Sequence, residues 1–281
     1  MAIFTNRALL TYNNGSTGSN IVTGEIRESL TATKNALTET YTPGSTVTYL
    51  VHLFNSGSNA LTGLTVTDDL GAYPFGGGSI VPLSYVEGSL RYFVNGVLQP
   101  TPIVGGTAPL TVSGISVPAG GEALIAYEAL VNDLAPLGDG AFITNTVNVT
   151  GASTATATET ITAAAGTELA IIKALEPESV AAGGQITYIF TIENYGSTAA
   201  VATDNLSVTD TFLPILQNVS VSYNGSAWTE GVQYTYDEAT GVFVTNPGQI
   251  TVPAATFSQD PVTGEWNTVP GVAIVTVVGT V

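Results

Sequence analysis

Three polar residues in the first half of the chain alternate with apolar neighbours at the period-two spacing of a β-strand. Lys34 is in phase with Leu30 and Ala32, Asp68 with Leu64 and Val66, and Asn145 with Ile143, Val147 and Val149. Each side chain therefore points to the apolar face of its strand. An amine, a carboxyl and a carboxamide taken out of water must pair or react, because unpaired burial is costly. An apolar site favours the neutral amine, which is a nucleophile. A protonated carboxyl beside an amide polarises it and relays a proton.

Other chemistries are poorly supplied. His52 is the single histidine and there is no cysteine, which argues against a transition-metal site, a catalytic triad and disulfides. Asp68-Asp69 and the pair Asp204 and Asp210 offer oxygen ligands for calcium. No D-x-D-x-D-G loop accompanies them, so they read as solvated acids. Nothing selects a pair of carboxylates for glycosidase chemistry. Trp228, Trp266 and the tyrosines are dispersed and read as core or strand-surface aromatics. The NGS and NVS tripeptides match a glycosylation pattern that means little without a secretory signal. The expectation is a protein that is no enzyme and holds neither metal nor cofactor.

Composition sets the frame for these side chains. The chain has 281 residues, 44% hydrophobic and only 10% charged, and is rich in the β-formers Val, Thr and Tyr. Five Lys and Arg against 22 Asp and Glu give a net charge of −17, which argues against nucleic acid as a partner. No apolar stretch is long enough to insert in a membrane, and the opening MAIFTNR is not expected to be a signal peptide.

The strands that carry the polar set recur. Lys34, Tyr49 and Asn55 match Lys173, Tyr188 and Asn194 at a constant offset of 139, and Asp68 matches Asp210 at 142. Around them, Gly44-Ser45-Thr46-Val47-Thr48-Tyr49 matches Gly183-Gly184-Gln185-Ile186-Thr187-Tyr188. Asn55-Ser56-Gly57 matches Asn194-Tyr195-Gly196, and Val66-Thr67-Asp68 matches Val208-Thr209-Asp210. Each half also has an Asn-Gly hairpin signal, Asn95-Gly96 and Asn224-Gly225. This pattern resembles the Ig-like repeat of bacterial surface proteins catalogued as a domain of unknown function, family eleven of that series. The resemblance implies a β-sandwich in cell-surface or fibre proteins of bacteria and archaea, without known catalysis. The expected fold is all-β, two tandem immunoglobulin-like sandwiches.

One strand is out of place. The stretch from Ala2 to Tyr12 resembles that from Ala141 to Gly151, with Thr5-Asn6 again 139 before Thr144-Asn145. The second repeat runs to the strand Val272–Val281 with no such copy after it. The expected organisation is a donor strand and linker over 1–27, a first domain over 28–163, and a second over 164–281 that lacks its last strand. Phe4, Asn6, Ala8, Leu10 and Tyr12 share one face of the donor strand and would enter the second domain of another copy. The polar, Gly-rich stretch from Asn13 to Ile26 would be the spanning linker.

The Lys, Asp and Asn set also resembles the intramolecular isopeptide cross-links of Gram-positive surface Ig-like domains. There, a lysine on the first strand attacks an asparagine on the last, assisted by a buried acid on a middle strand. That resemblance implies a Lys34–Asn145 bond assisted by Asp68. In the second domain it implies a bond from Lys173 to Asn6 of the neighbouring subunit, assisted by Asp210. The functional expectation is a head-to-tail homopolymer, a fibre subunit outside the cell on a cell or spore surface. The alternative is a monomeric surface adhesin or a carbohydrate- or protein-binding module.

Overall fold

The structure, a computed structural model, describes residues 2–26 and 29–281. Among the described residues there is no α-helix, only a 3-10 turn at Ala202–Asp204, and no helix is long and apolar enough to cross a membrane. The chain is all-β and forms two Ig-like sandwich units. One comprises the residues up to Ala135 with Ile143–Ile161, the other Pro136–Phe142 with Thr162–Val281. The boundary expected at residues 27–28 lies outside the described residues.

Residues 2–26 form an arm of four strands: β1 (Ala2–Asn6), β2 (Leu9–Tyr12), β3 (Gly15–Gly18) and β4 (Val22–Ile26). β1 pairs antiparallel with β4 and β2 with β3, so the arm is one broken hairpin whose strands, among the described residues, pair only among themselves. The stretch from Asn13 to Ile26 is therefore no extended linker. Thr17, Ile21, Val22 and Thr23 give it strand propensity, and the Asn-Asn-Gly corner turns the chain back.

The first unit continues with β5 (Leu30–Ala36), β6 (Thr40–Tyr41), β7 (Thr46–Asn55), β8 (Leu61–Asp68), β9 (Tyr73–Phe75), β10 (Gly78–Ile80) and β11 (Leu83–Tyr85). It is completed by β12 (Arg91–Val94), β13 (Val97–Leu98), β14 (Ile103–Thr107), β15 (Leu110–Val117), β16 (Glu122–Val131), β17 (Phe142–Thr150) and β18 (Ala155–Ala163). One sheet runs β13-β12-β16-β7-β5 and the other β14-β15-β8-β17-β18-β6. Alternate residues of β7, β16, β8 and β17 are buried between them, among them Tyr49, Val51, Ile125, Tyr127, Leu64, Val66, Val147 and Val149.

The second unit has β19 (Leu169–Glu176), β20 (Gln185–Asn194), β21 (Thr209–Thr211), β22 (Gln217–Tyr223) and β23 (Ser226–Trp228). Then come β24 (Tyr234–Asp237), β25 (Val242–Thr245), β26 (Thr256–Gln259), β27 (Trp266–Val269) and β28 (Gly271–Thr280). Its larger sheet, β19-β20-β28-β22-β23, repeats the β5-β7-β16-β12-β13 path of the first unit, and its smaller sheet is β21-β25-β24. Phe190, Val275, Phe212 and Phe243 lie in its core.

The repeated motifs have structural reasons. In both Asn-x-Gly segments the asparagine is buried and ties loops together. The Asn55 side chain accepts from the Gly57 amide and donates to the carbonyls of Asn59 and Pro118, and Asn194 does the same with Gly196, Thr198 and Pro253. Both Asn-Gly hairpin corners turn through positive φ, 47° and 77° at Asn95-Gly96 and 48° and 80° at Asn224-Gly225.

Candidate functional site

In the first unit the sheets bring Lys34 of β5, Asp68 of β8 and Asn145 of β17 into one buried cluster, each at most 3% exposed. Lys34 Nζ lies 2.5 Å from Asp68 Oδ2 and 4.9 Å from the centre of the Tyr49 ring. Burial pushes the Lys34 amine below its ordinary value, opposed by the charge of Asp68. The cluster has a fourth member that the sequence reading missed. The Tyr127 hydroxyl donates to Asp68 Oδ2 at 2.6 Å and accepts from Asn145 Nδ2 at 3.3 Å. Tyr127 lies in phase with the buried Ala123, Ile125, Ala129 and Val131 of β16, the same signal that marked Lys34. Burial drives its hydroxyl well above the usual tyrosine range.

The Asn145 carbonyl oxygen, Oδ1, is buried without a hydrogen-bond donor. The Tyr127 hydroxyl proton is already given to Asp68, and the nearby Tyr49 hydroxyl is likewise buried without a hydrogen-bond partner. A buried amide carbonyl without a donor is an unfavourable ground state.

The second unit repeats the pair but leaves it open. Lys173 of β19 bonds Asp210 of β21, and its amine lies 4.6 Å from the Tyr188 ring and 5.6 Å from Phe212. The Lys173 side chain is 42% exposed, whereas that of Lys34 is fully buried. β19 is exposed along its whole length, including Leu169, Ile171 and Ile172. The reason is pairing. β8 is flanked by β15 and β17, but β21 is paired only by β25 among the described residues. Between β19 and the segment that leads into β21 lies an open groove of about 180 Å³ lined by Leu169, Ile171, Ile192, Leu206, Val208 and Ile250. By the repeat, Leu169, Ile171, Ile192 and Val208 correspond to Leu30, Ala32, Leu53 and Val66, of which Leu30, Leu53 and Val66 are buried in the first unit.

The donor residues are placed on the arm, away from either lysine cluster in strand pairing. Phe4, Leu10 and Tyr12 are more than half exposed, and Asn6 and Ala8 are exposed. The chain breaks strand geometry at Arg7-Ala8, so these five residues do not form one continuous strand. Tyr12 stands where the first unit has Gly151, a residue with φ of 130° packed against Leu64.

The remaining candidates have structural occupations. His52 bonds Glu122 on the surface at 2.8 Å. Asp69 accepts from the Gly71 and Thr146 amides, and Asp204 accepts from the Val201 amide. Trp228 stacks on Tyr223 at 5.2 Å, and Trp266 lies in β27. Among the described residues no group of three or more His, Cys, Asp and Glu could hold a metal.

No family model and no curated protein matches the chain. Among solved structures it is similar to the major pilin subunit of Bacillus cereus, at 12% identity and a TM-score of 0.35, covering 96% of this chain and 73% of that one. It is similar to the pilus backbone of Streptococcus pneumoniae, at 11% identity and 0.34, covering 86% of this chain and 55% of that one. It is also similar to the collagen adhesin of S. aureus, at 13% identity and 0.29, covering 54% of this chain and 55% of that one.

Proposed function

We propose that the protein is a structural subunit of a bacterial surface fibre that assembles head to tail, the arm of one copy completing the second unit of the next. The observation that carries this reading is the open groove beside β21, together with an in-frame copy of the covering strand, exposed and unpaired with either sandwich. The β8–β17 register, in which Val66 faces Val149 and Asp68 faces Val147, carries over as Val208 facing Leu10 and Asp210 facing Ala8. Leu10 then fills the groove, and each large side chain buried there contributes about 1.5–3 kcal/mol. Donor and groove are different surfaces, so the contact is heterologous and propagates.

The lysine clusters supply covalent strength to the same fibre. In the first unit, Lys34 passes a proton to Asp68 across their hydrogen bond, and the neutral Nζ attacks Asn145 Cγ. The Nζ–Cγ bond forms, the Cγ–Nδ2 bond breaks, and ammonia leaves with protons relayed through Asp68. In the second unit Asn6 of the incoming arm occupies the place of Asn145, and Lys173 with Asp210 performs the same exchange between subunits.

Negative-stain microscopy and denaturing electrophoresis test the reading. The expected result is filaments from the full chain, none after deletion of residues 2–23, and a mass deficit of one ammonia in the monomer. Identical filaments from the deleted chain overturn arm donation. A full, unmodified mass removes the covalent step.

A further inference from the structure

Resting on that reading, we infer that the donated element is a two-stranded hairpin, residues 2–26 of a second copy. It docks on the second unit as β17 and β18 dock on the first.

The first unit shows what a second donated strand does. β18 lies between β17 and β6, buries Ala157 and Ile161, and places the Glu159 carboxylate on the Ala36 amide of β5 at 3.3 Å. It thereby closes the side of the sandwich above Lys34, and Glu159 acts on the Lys34 charge. A lone β17 equivalent would leave that side of the second unit open and keep its own outer edge unpaired.

The arm is built to supply both strands. At the same offset of 139, the inward positions Ala155, Ala157, Glu159, Ile161 and Ala163 of β18 correspond to Ser16, Gly18, Asn20, Val22 and Gly24. Small residues match small ones, an amide matches the carboxylate, and one β-branched residue matches another. Val22 is 55% exposed in the free arm, as expected of a residue that is buried only on docking. The Asn20 side-chain oxygen would accept from the amide of Leu175, the counterpart of Ala36.

The arm already folds as this hairpin, in a slipped register. In the first unit the side-chain bonds Thr144–Thr160, Thr146–Thr158 and Asn148–Thr156 set the pairing of β17 with β18. The same pairing in the arm would put Asn6 opposite Asn20. The free arm instead puts Asn6 opposite Val22 and Leu9 opposite Gly18, displaced by two residues in one half and one in the other. Docking resets the register: the one-residue shift brings Ala8 and Leu10 to the side of Gly18 and Ser16, and the two-residue shift keeps Asn6 on its face and sets it opposite Asn20. The stretch from the hairpin to the next sandwich is also preserved: residues 25–29 lead to Leu30 as 164–168 lead to Leu169. The connection between subunits therefore repeats the connection within a chain, and the fibre is a string of equivalent domains.

The test is a face-by-face substitution of the full chain, read as the critical concentration for filament formation. Val22→Asp places a charge on the inward face of β4 and is expected to raise it at least ~100-fold. Ile21→Asp places the same charge on the outward face, opposite in phase, and is expected to leave it within about threefold; Val22→Ile should assemble like the natural chain. Both aspartates lie on exposed positions of the free arm, so neither unfolds a sandwich. If Val22→Asp assembles normally while Leu10→Asp does not, a single strand is donated and the hairpin inference falls. If Leu10→Asp also assembles normally, arm donation itself falls. Equal losses from Ile21→Asp and Val22→Asp overturn the docked face.

Discussion

Lys34 and Lys173 occupy the same position of the same repeat, on the first strand of the larger sheet, and each is bonded to the aspartate of a Val-Thr-Asp segment. Their surroundings differ in one respect. Over Lys34 lie β17 and β18, and the amine is sealed with Asp68, Tyr127 and Asn145. The Lys173 side chain is 42% exposed, and its amine keeps its aspartate and a platform of aromatic rings, with no hydrogen bond to an asparagine or a tyrosine hydroxyl among the described residues. The counterpart of Tyr127, which faces Tyr49 across β16 and β7, is Val277, which faces Tyr188 across β28 and β20. The comparison teaches that a lysine–aspartate pair is sealed from water only where further strands cover it, whereas the same pair without them stays half open.

The largest test of that difference is to remove each aspartate. Asp68→Ala strands a buried amine and is expected to cost about 3–5 kcal/mol, seen as a lowered unfolding midpoint of the first unit, and to leave the monomer at its full mass. Asp210→Ala in the free monomer should cost under about 1 kcal/mol, because Lys173 turns to water. Equal losses would mean that the two sites are equally closed.

Filling the groove with charge probes the open site from the other side. Ile171→Asp is expected to leave the monomer's unfolding midpoint nearly unchanged, since Ile171 is 56% exposed, yet to stop filament growth in a sedimentation assay. Loss of monomer stability instead would place Ile171 in a packed core.

A smaller effect belongs to Tyr127→Phe. It removes one donor from Asp68 and one acceptor from Asn145, an expected cost of about 1–3 kcal/mol with a slower appearance of the ammonia-deficient mass. A bond that forms at the natural rate in this variant would reduce Tyr127 to packing.

The smallest expected effect is a pH dependence, measured in Asn145→Ala, where Lys34 remains an amine. Its folded pKa lies below the ordinary 10.5, so between those values the unfolded chain binds more protons. Stability therefore rises as pH is raised through the folded value. Near pH 10 the trend reverses, because Tyr49 and Tyr127 hold their protons more firmly when folded than when unfolded. With the proposed Lys34–Asn145 bond in place, the natural chain should lack the rise. An identical rise in both chains would show a free Lys34 amine.

By itself the sequence determined a good deal. Val, Thr and Tyr in alternation, the 139-residue offset and the two Asn-Gly corners dictate strands, two similar sandwiches and their hairpins, because these are local or periodic signals. The phase of Lys34, Asp68 and Asn145 was enough to bury them. Three matters were decided by tertiary structure alone. Tyr127 looked like one more core aromatic until β16 and β7 fixed its hydroxyl against Asp68. The stretch from Asn13 to Ile26 read as a linker because its glycines, serines and asparagines outweigh its apolar residues; its fold depends on pairing with β1 and β2, which no local pattern records. And two identical lysine motifs became a sealed cluster and an open groove because burial is set by which strand lies opposite, a contact made between residues more than a hundred positions apart, such as Ala36 and Glu159.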